Sequence, residues 1–415
     1  MIKKMLHILH KLLRRITAIK PRAILQFITV LILMLLDRRH GRKILIIFIE
    51  ELGFIQYILP IVEALKKKNS RISYYIATDH ISHKSELAPF NVPGSKVFYP
   101  SLAHRMWLTD VFLSASVYGK GHENAIRINV SHNQPVKLES YPRSELVKYN
   151  VHFLTGPLHR EQYENMLRKQ GLEKENIKLL DIGYPKSDEL LSGAYNRNEI
   201  LRGMGLDPEI PVVLYAPAWD PGASLRSFGE EIIEKLLDMK NISVIVKLHP
   251  VSYTPGNSKS FDFYTGGVDW VERFSQFEKL PNFRHVKDFL IDPLLISSDV
   301  MVTDISSVAL EFIMLDRPVI YLDCPEYFEK TLKMPGWDAD PDYVRNDPKA
   351  NAGRHVGVVV EDLSKLTEAV QKSLDNPGKL SKKRKQLAAN LLYNQGKGAE
   401  AAANAILELL KGQNP

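Results

Sequence analysis

"SSDVMVTDISSVALEFIMLDRPVIYLD", Ser297 to Asp323, is the stretch on which the fold turns. An apolar run, "VMVT", ends at Asp304 and a pair of serines. A helical pattern, "SSVALEFIMLD", starts there, and a second apolar run, "RPVIYLD", follows. Both runs are continuous rather than alternating, as in strands of a parallel sheet covered on both faces. Strand, helix and strand at this spacing predict a βαβ unit.

The alternation extends outward in both directions. Upstream lie a strand at Val212–Tyr215, a helix over "SFGEEIIEKLLDMK" and a strand in "ISVIVKLHP"; downstream, "DLSKLTEAVQKSLDN" and "GAEAAANAILELLK" read as closing helices. An earlier series opens with "RKILIIFIEELGFIQYILPIVEALKKK", a strand over Ile44–Ile49, a turn, and a helix ending in Lys66–Lys68. "RISYYIAT", "SKVFYP", "DVFLSAS", "AIRINVSH", "YNVHFLTGP" and "IKLLDIGYP" read as its further strands. A chain of 415 residues is too long for one ordinary core and suits two. The expectation is an α/β protein with two Rossmann-like, doubly wound domains, 43–195 and 196–395, facing a cleft. A closing helix within 396–415 is free to pack back on the first domain. Ligands of such sheets bind beyond the carboxyl ends of the strands.

Residues 1–42 read differently. Residues 1–43 hold eleven Lys and Arg against the single acid Asp37, whereas the rest of the chain has 44 basic and 47 acidic residues. Met5, Leu9, Leu12, Ile16 and Ile19 recur at helical spacing among Lys4, Lys11, Arg14 and Arg15, a basic amphipathic pattern that Pro21 ends. "AILQFITVLILMLL", Ala23–Leu36, is almost wholly apolar but shorter than the ~20 residues a spanning helix needs. No signal-peptide cleavage pattern follows it. A monotopic or re-entrant anchor on an anionic membrane surface is expected. The charge belongs to this module, and no nucleic-acid-binding motif accompanies it. The one cysteine, Cys324, favours a reducing compartment, and no zinc-ligand spacing occurs.

Polar residues collect at the expected strand ends: Trp219 and Asp220 after "VLYAP", His249 closing "VIVKLHP", Asp304, Ser306 and Ser307 after "MVT", and His132 after "RINV". One side chain suffices to cap a helix, and Asp304 or Ser306 would do it. Two adjacent hydroxyls, free amides and the positive helix end together suit a phosphate. Glu311, one turn on, is placed to reach a ribose diol. The stretch therefore reads as a nucleotide-diphosphate site without the glycines and lysine of a P-loop, which argues against kinase or NTPase chemistry.

"VLYAPAWD", "VKLHP" and the opening stretch, in this order, resemble the CDP-glycerol glycerophosphotransferase family of teichoic-acid primases, polymerases and capsule enzymes. "FLTGPLHREQYENML" and "DIGYPKSDEL" extend the similarity over 150–390. The resemblance implies a GT-B fold, with 43–195 on the acceptor side and 196–395 binding a CDP-activated polyol donor. It implies a membrane-linked glycan or polymer acceptor and attachment to the cytoplasmic face of the cell membrane. His132, Asn133 and Lys137 of "SHNQPVK" match the family's Trp-His-Gly-x-x-x-Lys segment, with Ser131 for Trp and Asn133 for Gly. By the same resemblance His132 is the base and His249 a ligand of the donor phosphates. Ser306, Ser307, Asp304, Glu311, Lys247 and Pro217 are expected at the donor nucleotide. No metal or cofactor is called for, and an oligomer is left open. "KMPGWDADPDYVRNDPKANAGRH" is expected as a loop near the donor site. The alternatives are a GT-B glycosyltransferase using a CMP- or UDP-sugar, a sugar-nucleotide 2-epimerase, and a silent membrane-bound scaffold.

Overall fold

The structure, a computed structural model, describes residues 21–132, 134, 141, 143–173, 175–288, 290–333 and 341–412. Two sheets organise them. The first contains β1 (Lys43–Ile49), β2 (Ile72–Thr78), β3 (Val97–Phe98), β4 (Val111–Ser114), β5 (Ile126–Val130), β6 (Val151–Leu154) and β7 (Lys178–Asp181), in the order β3-β2-β1-β4-β5-β6-β7. The second contains β8 (Val212–Tyr215), β9 (Ser243–Val246), β10 (Phe283–His285), β11 (Val300–Thr303), β12 (Val319–Leu322) and β13 (Val358–Val360), in the order β10-β9-β8-β11-β12-β13. Every neighbouring pair is parallel. Each sheet starts in its middle, winds outward, and reverses between β1 and β4 or between β8 and β11. A crevice opens at such a reversal.

Local sequence accounts for the layers. The strand β1, "KILIIFI", is buried from Ile44 onward, with helices on both faces. In the helix Ile55–Lys68, Ile58, Ile61, Val62 and Leu65 form one apolar stripe and pack with Leu45, Ile47 and Ile76 of the sheet. The single helix expected over "SFGEEIIEKLLDMK" is two, Ser224–Phe228 and Glu231–Leu237, because Gly229 between them takes φ +57. The expected loop over 333–355 includes the helix Pro341–Asn346 and a 3-10 turn, Ala352–His355.

The chain passes between the domains twice. It leaves the first through Gly183–Lys186 and returns after the helix Ser381–Leu391, where the Tyr393 amide donates to the Thr155 carbonyl at 2.7 Å. Both crossings need glycine. A Cβ on Gly156 would lie 2.2 Å from the Leu391 carbonyl carbon, and one on Gly183, whose φ is +102, would lie 2.3 Å from the Tyr393 oxygen. The helix Gly398–Lys411 then packs Ala402, Ala403, Ile406 and Leu410 into the first domain's core, and Asp188 accepts its Gly398 and Ala399 amides.

The helix Pro21–Arg39 is also part of that domain. Phe27, Val30 and Met34 are buried on the sheet with Ile44, Ile46 and Phe112, and Asp37 pairs with Lys96 at 2.6 Å. Leu25, Ile28, Ile32, Leu35 and Leu36 remain exposed on its other side. The apolar run expected to sit in the membrane therefore has one face on protein. None of the described helices is long and apolar enough to cross a membrane. The amphipathic segment expected before Pro21 lies outside the described residues.

Candidate functional site

A cavity of about 180 Å³ lies between the carboxyl ends of the two sheets. The first domain contributes Glu51, Phe54 and Tyr57 after β1, and His132 after β5. The second contributes Pro217 after β8, Lys247 and His249 after β9, and Ser306, Ser307 and Glu311 after β11. Of the residues expected from sequence, His132, His249, Ser306, Ser307, Glu311, Lys247 and Pro217 thus share one cavity. Asn133 and Lys137 lie outside the described residues.

The two histidines hold opposite tautomers. His132 Nδ1 lies 2.7 Å from the Ala115 carbonyl, which can only accept, so Nδ1 carries the proton and Nε2 the lone pair. Its ring stacks obliquely on Phe54, 4.9 Å between centroids. Burial lowers its pKa, partly opposed by the Ala115 bond, so neutral imidazole prevails at neutral pH. His249 Nδ1 instead accepts the Val251 amide at 3.3 Å, leaving the proton on Nε2. Nε2 of His132 can thus accept a proton, and Nε2–H of His249 can donate one.

Positive charge comes from two lysines that are 6% and 5% exposed, Lys186 and Lys247. Burial pushes Lys247 down to about 8, with Lys186 adding and Asp288 opposing. Lys186 is also penalised by burial, but Glu311, with Tyr57 and Asp292, outweighs this and raises its pKa. Its ammonium lies 2.5 Å from Glu311 Oε2 and 3.6 Å from Asp292 Oδ1. Burial pushes Asp292 up to about 6, although Lys186 opposes it. The Tyr184 hydroxyl lies 3.3 Å from both Glu311 Oε1 and the His132 carbonyl, one on each domain.

Two expectations change. Asp304 was expected at the nucleotide, but it is fully buried. Its Oδ1 accepts the Ala218 and Ile305 amides at 2.9 and 2.6 Å, and its Oδ2 accepts the Ser224 amide and hydroxyl at 2.9 and 2.6 Å. It ties the turn after β8 to the turn after β11 and so positions the wall that carries Pro217. Glu311 does line the cavity, but its carboxylate is already held by Lys186 and Tyr184 rather than open to a sugar. Ser307 begins the helix Val308–Met314 without a side-chain cap bond, so its hydroxyl is not spent on the helix. Lys186, Tyr184, Tyr57 and Asp292 were not singled out from sequence. The signal for two of them was "GYPK", a lysine and a tyrosine directly after a glycine forced to φ +102.

The described residues contain no group of three or more His, Cys, Asp or Glu placed to hold a metal ion. The arrangement offers a basic nitrogen on one wall, facing ammonium, imidazole N–H and hydroxyl donors on the other. That set can deprotonate a nucleophile and bind a polyanion.

Comparison with known proteins bears on the family and the fold. The chain is 26% identical over 171 residues to the teichoic acid glycerol-phosphate transferase of Staphylococcus aureus, covering 38% of this chain and 39% of that protein. It is 29% identical over 145 residues to the teichoic acid glycerol-phosphate primase of Bacillus spizizenii, covering 34% and 33%. These matches span 39% and 33% of the two relatives' lengths. In structure it is similar to the wall teichoic acid polymerase TagF, with TM-score 0.62, 18% identity and 89% of each chain covered. It is also similar to the UDP-GlcNAc 2-epimerase of Neisseria meningitidis, with TM-score 0.52, 15% identity and 89% and 100% covered. Both likenesses are of the two-domain, GT-B-like fold. The model of the CDP-glycerol:poly(glycerophosphate) glycerophosphotransferase family matches residues 61–333, more than half the chain, including His132, Lys247, His249, Ser306, Ser307 and Glu311 of the cavity, and the chain belongs to that family.

Proposed function

We propose that this protein transfers glycerol phosphate, or a related polyol phosphate, from a CDP-activated donor to a hydroxyl of a membrane-linked glycan or polymer, releasing CMP. The observation that carries this is the pairing across one cavity of His132, with its lone pair on Nε2, and the donor set His249, Lys247, Ser306 and Ser307. Family membership and the names of the relatives support the donor and the polymer class.

In this reaction the acceptor oxygen attacks the phosphorus that bears glycerol. A new P–O bond forms, and the bridging P–O bond to CMP breaks. His132 Nε2 takes the hydroxyl proton. Lys247, His249 Nε2–H and the two serine hydroxyls hold the charge that gathers on the transferred group and on CMP. Lys186, kept charged by Glu311, adds field without being drawn out of its pair. The setting we infer is the cytoplasmic face of the cell membrane, with the exposed apolar residues of the helix Pro21–Arg39 turned to lipid and the excess of Lys and Arg in residues 1–43 suited to an anionic surface.

The test is nucleotide release by the purified protein from CDP-glycerol, CDP-ribitol, CMP-sugars and UDP-sugars. Release of CMP from a CDP-polyol, dependent on acceptor, is expected. Turnover of a UDP-sugar alone would replace this reading with sugar transfer or epimerisation.

A further inference from the structure

At the amino-end side of the first sheet, away from the cleft, the segments leading into β4, β5 and β6 line a second cavity of about 460 Å³. Among the described residues His104, Lys120, His122, Arg127 and Lys148 line it, against one acid, Glu123. Lys148 is paired with Glu145 outside it. Arg127 is the one residue of β5 that is not fully buried. Its Nε is buried with no hydrogen-bond partner among the described residues. A guanidinium nitrogen in that state is costly unless something accepts from it. His122 Nδ1 accepts the Asn124 amide at 3.2 Å, which leaves the proton on Nε2. A fork-shaped guanidinium, an ammonium and an imidazole N–H around one hollow match a phosphate.

The cavity has the exposed apolar helix as its neighbour. His104 belongs to the 3-10 segment Pro100–Arg105, whose Leu102 and Ala103 lie in the same core as Phe27, Val30 and Met34 of that helix. Phe112 of that core lies directly behind Gly121. The Tyr99 amide donates to Gln26, and Arg38 donates to the Leu108 carbonyl, so two exposed aromatics, Tyr99 and Trp107, flank the helix. Apolar residues, interfacial aromatics and basic side chains together are the composition of a surface that meets a bilayer.

We propose that this cavity is a binding site for the phosphate headgroup of an anionic phospholipid, seated beside the helix Pro21–Arg39. It uses no residue of the catalytic cleft, so it stands or falls separately from the transfer reaction.

The test is flotation of the full chain with vesicles of phosphatidylcholine alone and of phosphatidylcholine mixed with phosphatidylglycerol. It compares the parent with Arg127→Gln and with the surface pair Lys120→Ala/His122→Ala. The variants should lose about 5-fold in phosphatidylglycerol-dependent partitioning for each charge removed. Binding to phosphatidylcholine alone, the thermal midpoint and CMP release should be unchanged. Equal flotation of parent and both variants on the mixed vesicles overturns the site. So does a calorimetric result in which the variants lose inorganic phosphate binding but float as the parent does, because the ligand is then a free anion.

Discussion

The ammonium of Lys186 stands 2.5 Å from the carboxylate of Glu311, and the two side chains come from different segments 125 residues apart. Lys186 follows the first crossing between domains, and Glu311 lies on the helix after the paired serines. Both are almost wholly excluded from solvent. Removing one partner strands the other. Glu311→Leu alone is expected to destabilise the protein by about 3–5 kcal/mol, whereas Glu311→Leu with Lys186→Met should recover most of that loss. Denaturant unfolding of the single and double variants checks this, and a double variant no more stable than the single would remove the pair's structural role.

Lys247 sets stability against binding. Its pKa in the folded protein, about 8, lies below its ordinary value of 10.5. Between those values the unfolded chain holds a proton that the folded one has released, so this group's contribution to stability rises with pH across that window. Below pH 8 its destabilising effect is complete, on the order of 3 kcal/mol for the full shift. Lys247→Met should therefore be more stable than the parent at pH 7, with the gap shrinking above pH 8, and should bind CDP-glycerol poorly. Unfolding measured at pH 7 and at pH 9.5, together with calorimetry, tests both halves.

The serine pair separates phosphate from base recognition. Ser306→Ala with Ser307→Ala should weaken CDP-glycerol more than cytidine, by about 1.5–3 kcal/mol for each lost bond to a charged oxygen. Equal weakening of the two ligands in calorimetry would reduce the serines to helix structure.

His132→Ala should lower turnover by about 10²–10⁴-fold with donor affinity little changed. His249→Ala should lower both. Single-turnover rates with saturating acceptor distinguish them, and normal turnover in His132→Ala would sink the assignment of the base.

Truncation distinguishes the two halves of the N-terminal region. Removing residues 1–20 should leave the fold intact and weaken flotation on anionic vesicles. Removing 1–36 should also destabilise the first domain, because it takes Phe27, Val30 and Met34 out of the core. Equal thermal midpoints for the two truncations would contradict the packing of that helix.

Strands buried on both faces were legible because a continuous apolar run has few other homes. β1, β2, β8, β9 and β11 fall where the sequence puts them. β10 and β13, three-residue strands at the two edges of the second sheet, were not read from the sequence. The stretch Ala23–Leu36 was only half legible, for a physical reason. Apolar residues on opposite faces of a helix look the same in sequence whether lipid or protein covers either face, and here protein covers one. At the site, strand-end residues could be collected because the fold fixes where strand ends go. Lys186 and Tyr184 escaped because they reach the cavity from the crossing between domains, a place no periodicity marks. Asp304 was assigned to a ligand because a carboxylate beside a cavity and one beneath it differ only in the direction of the side chain.

The helix Gly398–Lys411, which closes the first domain's core against Ile58, Ile61, Val62 and Leu65, has a consequence for biosynthesis. On the ribosome the first domain emerges early, yet its outer layer is translated only after the whole of the second domain. Until then the apolar faces that receive Ala402, Ala403, Ile406 and Leu410 lie open, while the second domain already has every residue of its own core. The order of completion is thus the reverse of the order of synthesis. A nascent chain halted before residue 398 should be held by chaperones at its first domain.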